Sequence, residues 1–226
     1  MQTEHRSERL LALGGVAFTA LMALAAVAFP LTPGGDVSPG KKPAWLAAHA
    51  NAVLAQGYVR ALGALGFILL AVAVAALIRR HGASRSAATA ALAGGLGSGL
   101  LLLLAQAAGI ASALAAADGT SDTVVRSLGY AEDGFLTLSS LPAVILLAAS
   151  GITFLRARLV PSWLCWFTLA GVPFALLDAA SYDGGPLEPV GFLGLLYFLL
   201  WSLATGISLA ASRRTAGPKY PVAATP

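Results

Sequence analysis

Apolar residues run through this chain in long blocks instead of alternating with polar ones. Six blocks stand out: about Leu10 to Pro30, Gly57 to Ile78, Ala87 to Ala117, Phe135 to Leu155, Ser162 to Ala180 and Val190 to Ala211. About 20 apolar residues in a helix cross the hydrocarbon core of a bilayer, and only a helix satisfies its own backbone polar groups in lipid without closing into a barrel. The pattern therefore predicts an all-α, polytopic integral membrane bundle of six transmembrane helices. It forms a single domain over residues 10–211, between an N-terminal tail (1–9) and a disordered C-terminal tail (212–226). The charged start of the first block and the small residues Ala26 and Ala28 also fit a signal peptide. Its apolar run exceeds the usual signal core, so an uncleaved anchor is expected.

The polar segments between the blocks refine the picture. In the first, Pro33, Gly34, Gly35, Pro39 and Gly40 forbid regular structure up to Pro43, a good first-turn helix residue. From Trp45 to Gln56 the pattern is helical, either an interfacial helix or an extension of the second span. The third span carries a ridge of Ala91, Gly95 and Gly99, a spacing that lets a second helix approach closely; packing within the chain is the expected use. The residues from Asp118 to Asp133 read as a loop.

Charge then sets the orientation. Arg6, Arg9, Arg79, Arg80, Arg85, Arg156, Arg158, Arg213, Arg214 and Lys219 fall in alternate polar segments, and only Lys41, Lys42, Arg60 and Arg126 fall in the others. Most acids lie opposite the basic group. Basic residues are retained on the cytoplasmic face, so both termini are expected inside a bacterial inner (cytoplasmic) membrane. With 58% hydrophobic and 11% charged residues and a mean hydropathy of +0.79, the chain has no room for a separate soluble domain. The sequence pI of 9.6 comes from basic residues scattered beside apolar spans, which suits anionic lipid headgroups and not nucleic acid. Cys165 is the single cysteine, so neither an intrachain disulfide nor a cysteine metal site is expected.

Familiar catalytic signatures are absent, and no cofactor or metal is expected. What remains is polarity gathered at the outward ends of the spans. Asp178 is the deepest carboxylate. Glu132, Asp133 and Glu188 stand near span starts, where capping and the helix dipole alone would explain them. Converging with Asp178 as candidate acid/base groups, they would form a pocket walled by His49, Arg60, Gln106, Ser139 and Ser140. Charged groups in spans are rare and usually functional. Asp178 could instead reach water or pair with Arg60, and His49 could be a solvated interfacial residue. Pro142 and Pro173 mark possible kinks around such a cavity.

Three places in the chain carry a family likeness: Arg9 before Gly14–Gly15, the helix from His49 to Arg60 leading into the second span, and the turn Leu159-Val160-Pro161-Ser162-Trp163-Leu164 before the fifth. With Phe192 and Trp201 in the last span, the layout resembles a group of bacterial multi-pass membrane proteins classed as a domain of unknown function. Cys165 departs from the glycine expected there. The resemblance implies a multi-pass membrane fold and no catalytic residue. Three functions stay open: a non-catalytic membrane component or partner subunit, favoured by the missing motifs; an enzyme acting on an isoprenoid- or lipid-like substrate with Asp178 as proton donor or acceptor; and a small transporter component. The last is disfavoured by the scarcity of polar groups in the inward half. Expected partners are the lipid bilayer, and a membrane protein or a small lipophilic ligand.

Overall fold

A computed structural model describes residues 2–29, 41–81, 84–181 and 188–211, without the side chains of 2–9, 188 and 190. The tail from 212 onward and the proline- and glycine-rich segment around 33–40 lie outside it. The described residues form helices and turns alone: α1 (Gln2–Ala28), α2 (Lys41–Arg80), α3 (Arg85–Ala117), α4 (Asp122–Leu138), α5 (Ser140–Ala157), α6 (Ser162–Asp178) and α7 (Glu188–Ala211). Five helical stretches, with α4 and α5 counted as one, are long and apolar enough to cross a membrane, and α6 is a shorter apolar helix. Together they match the six expected spans.

The helices close into a ring. α1 packs on α2, α2 on α3, α3 on α5, α5 on α6, α6 on α7, and α7 returns to α1, while α4 lies against α3. One end of the ring carries Arg79, Arg80, Arg85, Arg156 and Arg158 and is called the basic end below; the other is the acidic end. Small residues permit the tightest seams. Gly14 of α1 and Gly66 of α2 face each other so closely that a Cβ on Gly66 would sit 2.8 Å from the Gly14 carbonyl oxygen. The third-helix ridge works within the chain: Gly95 meets Ala71 and Gly99 meets Ile68, both on α2.

Aromatic rings fill the middle of the ring. Phe18, Phe67 and Phe198 pack with centroids 5.0–6.1 Å apart, and Phe198 stacks at 5.8 Å on Trp201. Trp201 is fully buried and donates its indole N–H to Thr168 Oγ1 at 3.0 Å, so the largest core side chain has its polar atom satisfied.

Of the two readings left open for Trp45 to Gln56, the extension of the second span is the one that forms: it is one helix with α2, bent at His49 (φ −117°, ψ 16°). Other features depart from the sequence reading. The expected loop from 118 to 133 is helical from Asp122 onward. Its charges hide an amphipathic pattern, with Val125 and Gly129 buried and Arg126, Ser127 and Tyr130 exposed. Glu132 and Asp133 are therefore mid-helix residues of α4 and cannot be first-turn caps; Asp122 holds that place. α4 breaks from α5 at Ser139, and the cause is Pro142, which has no N–H for the Leu138 carbonyl and whose ring crowds it.

Candidate functional site

Several helices line a common space in the half of the ring nearer the acidic end, α7 with almost every residue from Gly191 to Leu199 and the others with a stripe each. On α6 the stripe is Gly171, Ala175 and Asp178; on α3 Ser98, Leu102, Ala105 and Gln106; on α1 Phe18, Met22 and Ala26. These are spacings of three, four and seven, one face of a helix. The space is a cavity of about 640 Å³, inside the range of roughly 300–1,000 Å³ typical of small-molecule sites. Its wall is mostly apolar, with polar groups at a few points.

Of the residues singled out in the sequence, Arg60, Gln106, Glu132, Asp133, Ser139, Ser140 and Asp178 all line this one cavity. His49 does not. Its ring stacks on Trp45 at 4.4 Å and its Nδ1 lies 2.9 Å from the Trp45 carbonyl oxygen, a self-contained pair within the α2 extension. Glu188 is the first residue of α7, and its side chain lies outside the described residues.

Asp178 is the last residue of α6, and three helices build its seat. Ser140, at the first position of α5, donates its hydroxyl to Asp178 Oδ2. On α7, a Cβ at Gly194 would lie 3.1 Å from Asp178 Cβ, and one at Gly191 would lie 3.3 Å from Oδ1. The two glycines thus leave space that the carboxylate occupies. Ser181 completes the end of α6 by donating to the Asp178 carbonyl at 2.7 Å. The pairing with Arg60 envisaged from the sequence does not form.

Arg60 is attracted electrostatically to Glu132 instead. Glu132 is half-buried and feels the opposite charges of Arg60 and Lys42 and the like charge of Asp133. Its carboxylate lies over Gly109 of α3, where a Cβ would come within 2.7 Å of Oε1. A second cleft of about 20 Å³ adjoins this group, lined by Lys42, Gln56, Arg60, Gln106 and Glu132 among others. Gln56 is buried and donates to the Ala25 carbonyl at 3.0 Å, tying α2 to α1. Among the described residues no three His, Cys, Asp or Glu side chains gather as metal ligands.

Between α1 and α7 the wall of the cavity is exposed. Toward the basic end these helices are tightly joined: Gly15 meets the Ser202 carbonyl, a Cβ on Gly206 would lie 2.8 Å from the Ala12 carbonyl, and Thr19 donates to the Leu199 carbonyl at 3.0 Å. Further toward the acidic end Ala23, Ala26 and Val27 of α1 and Phe192, Leu195 and Leu196 of α7 line the cavity and are also exposed at its surface. That flank lies along the apolar, lipid-facing length of both helices.

Sequence reasoning missed two sets of residues. Gly191 and Gly194 were not singled out, although a Gly-x-x-Gly pair in the last span signals a close approach. The basic half is also more polar than expected, with Ser150, Thr153, Thr168, Ser202 and Thr205 buried. Ser150, Thr153 and Thr168 donate to carbonyls one turn back at 2.6–2.7 Å, whereas Ser202 Oγ and Thr205 Oγ1 have no partner among the described residues. None of these five lines the cavity.

The fold and the cavity together define a helical membrane protein with a ligand-sized space in one half of its bundle. No protein-family model, curated protein or solved structure matches the chain.

Proposed function

We propose that this protein binds a lipophilic small molecule taken from the bilayer, in a bacterial inner membrane with the acidic end facing outward. The observation that carries this reading is the cavity of about 640 Å³, with a carboxylate seated in its apolar wall and exposed apolar residues of α1 and α7 along one flank. A partner subunit needs no such space, and a transporter needs a polar route through the basic half, where the buried hydroxyls are packed away from the cavity. Entry from lipid favours a ligand that already resides there, because apolar surface gains nothing by crossing water first. The orientation rests on the sidedness of the basic residues.

The test is native mass spectrometry of protein extracted gently from its own membrane. A small lipophile should be retained by the wild type and lost from Asp178→Asn, with equal membrane expression of both. A wild-type chain with no small adduct, or carrying a second protein in fixed proportion, sinks this reading and restores that of a partner subunit. An enzyme acting on the same ligand is the second reading, favoured by Asp178 and Glu132 both facing one cavity. It predicts that the recovered molecule differs chemically between wild type and Asp178→Asn.

A further inference from the structure

The cavity wall combines three carboxylates (Glu132, Asp133 and Asp178) with one guanidinium, Arg60, among the described residues. No ion pair joins Arg60 to Asp178 among the described residues, and the guanidinium is attracted to Glu132. The side chain of Asp178 has one hydrogen-bond donor among the described residues, the Ser140 hydroxyl, which binds Oδ2. Oδ1 lies toward Gly191 and Gly194, and the one hydroxyl close by, that of Ser181, donates to the Asp178 backbone carbonyl. A carboxylate left in an apolar wall is costly unless a proton or a cation holds it. The same wall carries aromatic rings, Phe18, Phe192, Tyr197 and Phe198. Ring faces attract cations and do so more strongly where water is excluded.

Resting on the ligand-binding reading above, we infer that the occupant is a lipophilic cation, an amine or onium group on an apolar body. Its charge would sit at Asp178 and its body among the aromatic and aliphatic side chains deeper in the cavity. An anionic lipophile is repelled by the Asp178 carboxylate, and a neutral one leaves that carboxylate to be held by a proton alone. Glu132 and Arg60 offset one another and set the far wall. Gly191 and Gly194 act as positioning residues, since a Cβ at Gly191 would collide with Ser181 Oγ beside the carboxylate and one at Gly194 would lie 3.1 Å from Asp178 Cβ.

The experiment uses three molecules of one shape: tetraphenylphosphonium, neutral tetraphenylsilane and tetraphenylborate. Each is titrated against the full chain in nanodiscs of zwitterionic lipid, with empty nanodiscs as the partition control. Wild-type protein should bind the phosphonium about ten-fold more tightly than the silane, as a screened attraction between two charges would give, and should bind the borate least. Asp178→Asn should remove that preference while keeping its binding of the silane, which shows the cavity intact. Asp118→Asn, at an exposed turn between α3 and α4, should behave as wild type. Equal binding of phosphonium and silane, tighter binding of the borate, or an unchanged preference in Asp178→Asn overturns the inference. If none of the three binds, the cation class fails, while the cavity reading is judged separately by the ligand recovered from the native membrane.

Discussion

At the scale of single residues, the site depends as much on missing side chains as on present ones. Gly109 gives the Glu132 carboxylate its place, so Gly109→Val should force that carboxylate off its seat and separate α3 from α4. Overpacking of this kind costs about 1–3 kcal/mol, and the thermal unfolding midpoint in detergent should fall. An unchanged midpoint would mean that Glu132 moves aside freely. The polar members of the site were legible in the sequence because a carboxylate, guanidinium or amide stands out in an apolar block, and Asp178, Glu132, Arg60 and Gln106 do converge. Their pairing was not legible. Which acid meets Arg60 depends on helix rotation and register across three helices, and the sequence spacing of Asp178 and Arg60 carries neither. His49 misled for a related reason: its partner is Trp45, one turn away on its own helix.

At the scale of elements, the break between α4 and α5 does the most for the cavity. Helix α5 starts at Ser140, the residue that binds Asp178, because Pro142 interrupts the ladder just before it. Pro142→Ala restores an N–H and removes a helix-interior proline, worth about 3 kcal/mol of intrinsic helix preference. The variant should melt no lower than wild type yet retain less ligand in native mass spectrometry. If both stability and retention fall, the contact of the proline ring with Gly97 matters more than the bend. The long apolar helices were readable from block length alone, whereas α4 was not. With Asp122, Arg126, Glu132 and Asp133 in 12 residues it has the composition of a loop, and the packing of Val125 with Ala113 and Ala116 of α3 and with Leu46 and Val53 of α2 supports it as a helix. That stabilisation is tertiary, and a local pattern records it weakly.

At the scale of the whole molecule, the ring has rims of unequal height. At about 1.5 Å per residue, the 40 residues of α2 and 33 of α3 reach well past a hydrocarbon core of roughly 30 Å. The 17 residues of α6 span only about 26 Å and fall short of it. A bilayer meeting this protein must thin beside α6 or submerge its ends, at a fraction of a kcal/mol for each ångström. Asp178 stands at that short end. The thickness of the surrounding lipid thus becomes a control on the wetting of the carboxylate: thin bilayers leave it at the waterline, and thick ones draw it under. Reconstitution in short- and long-chain phosphatidylcholines should change the affinity for tetraphenylphosphonium while leaving that of Asp178→Asn level. The host membrane then acts as a component of the binding site, tuning from outside the chain a charge that the chain holds in place.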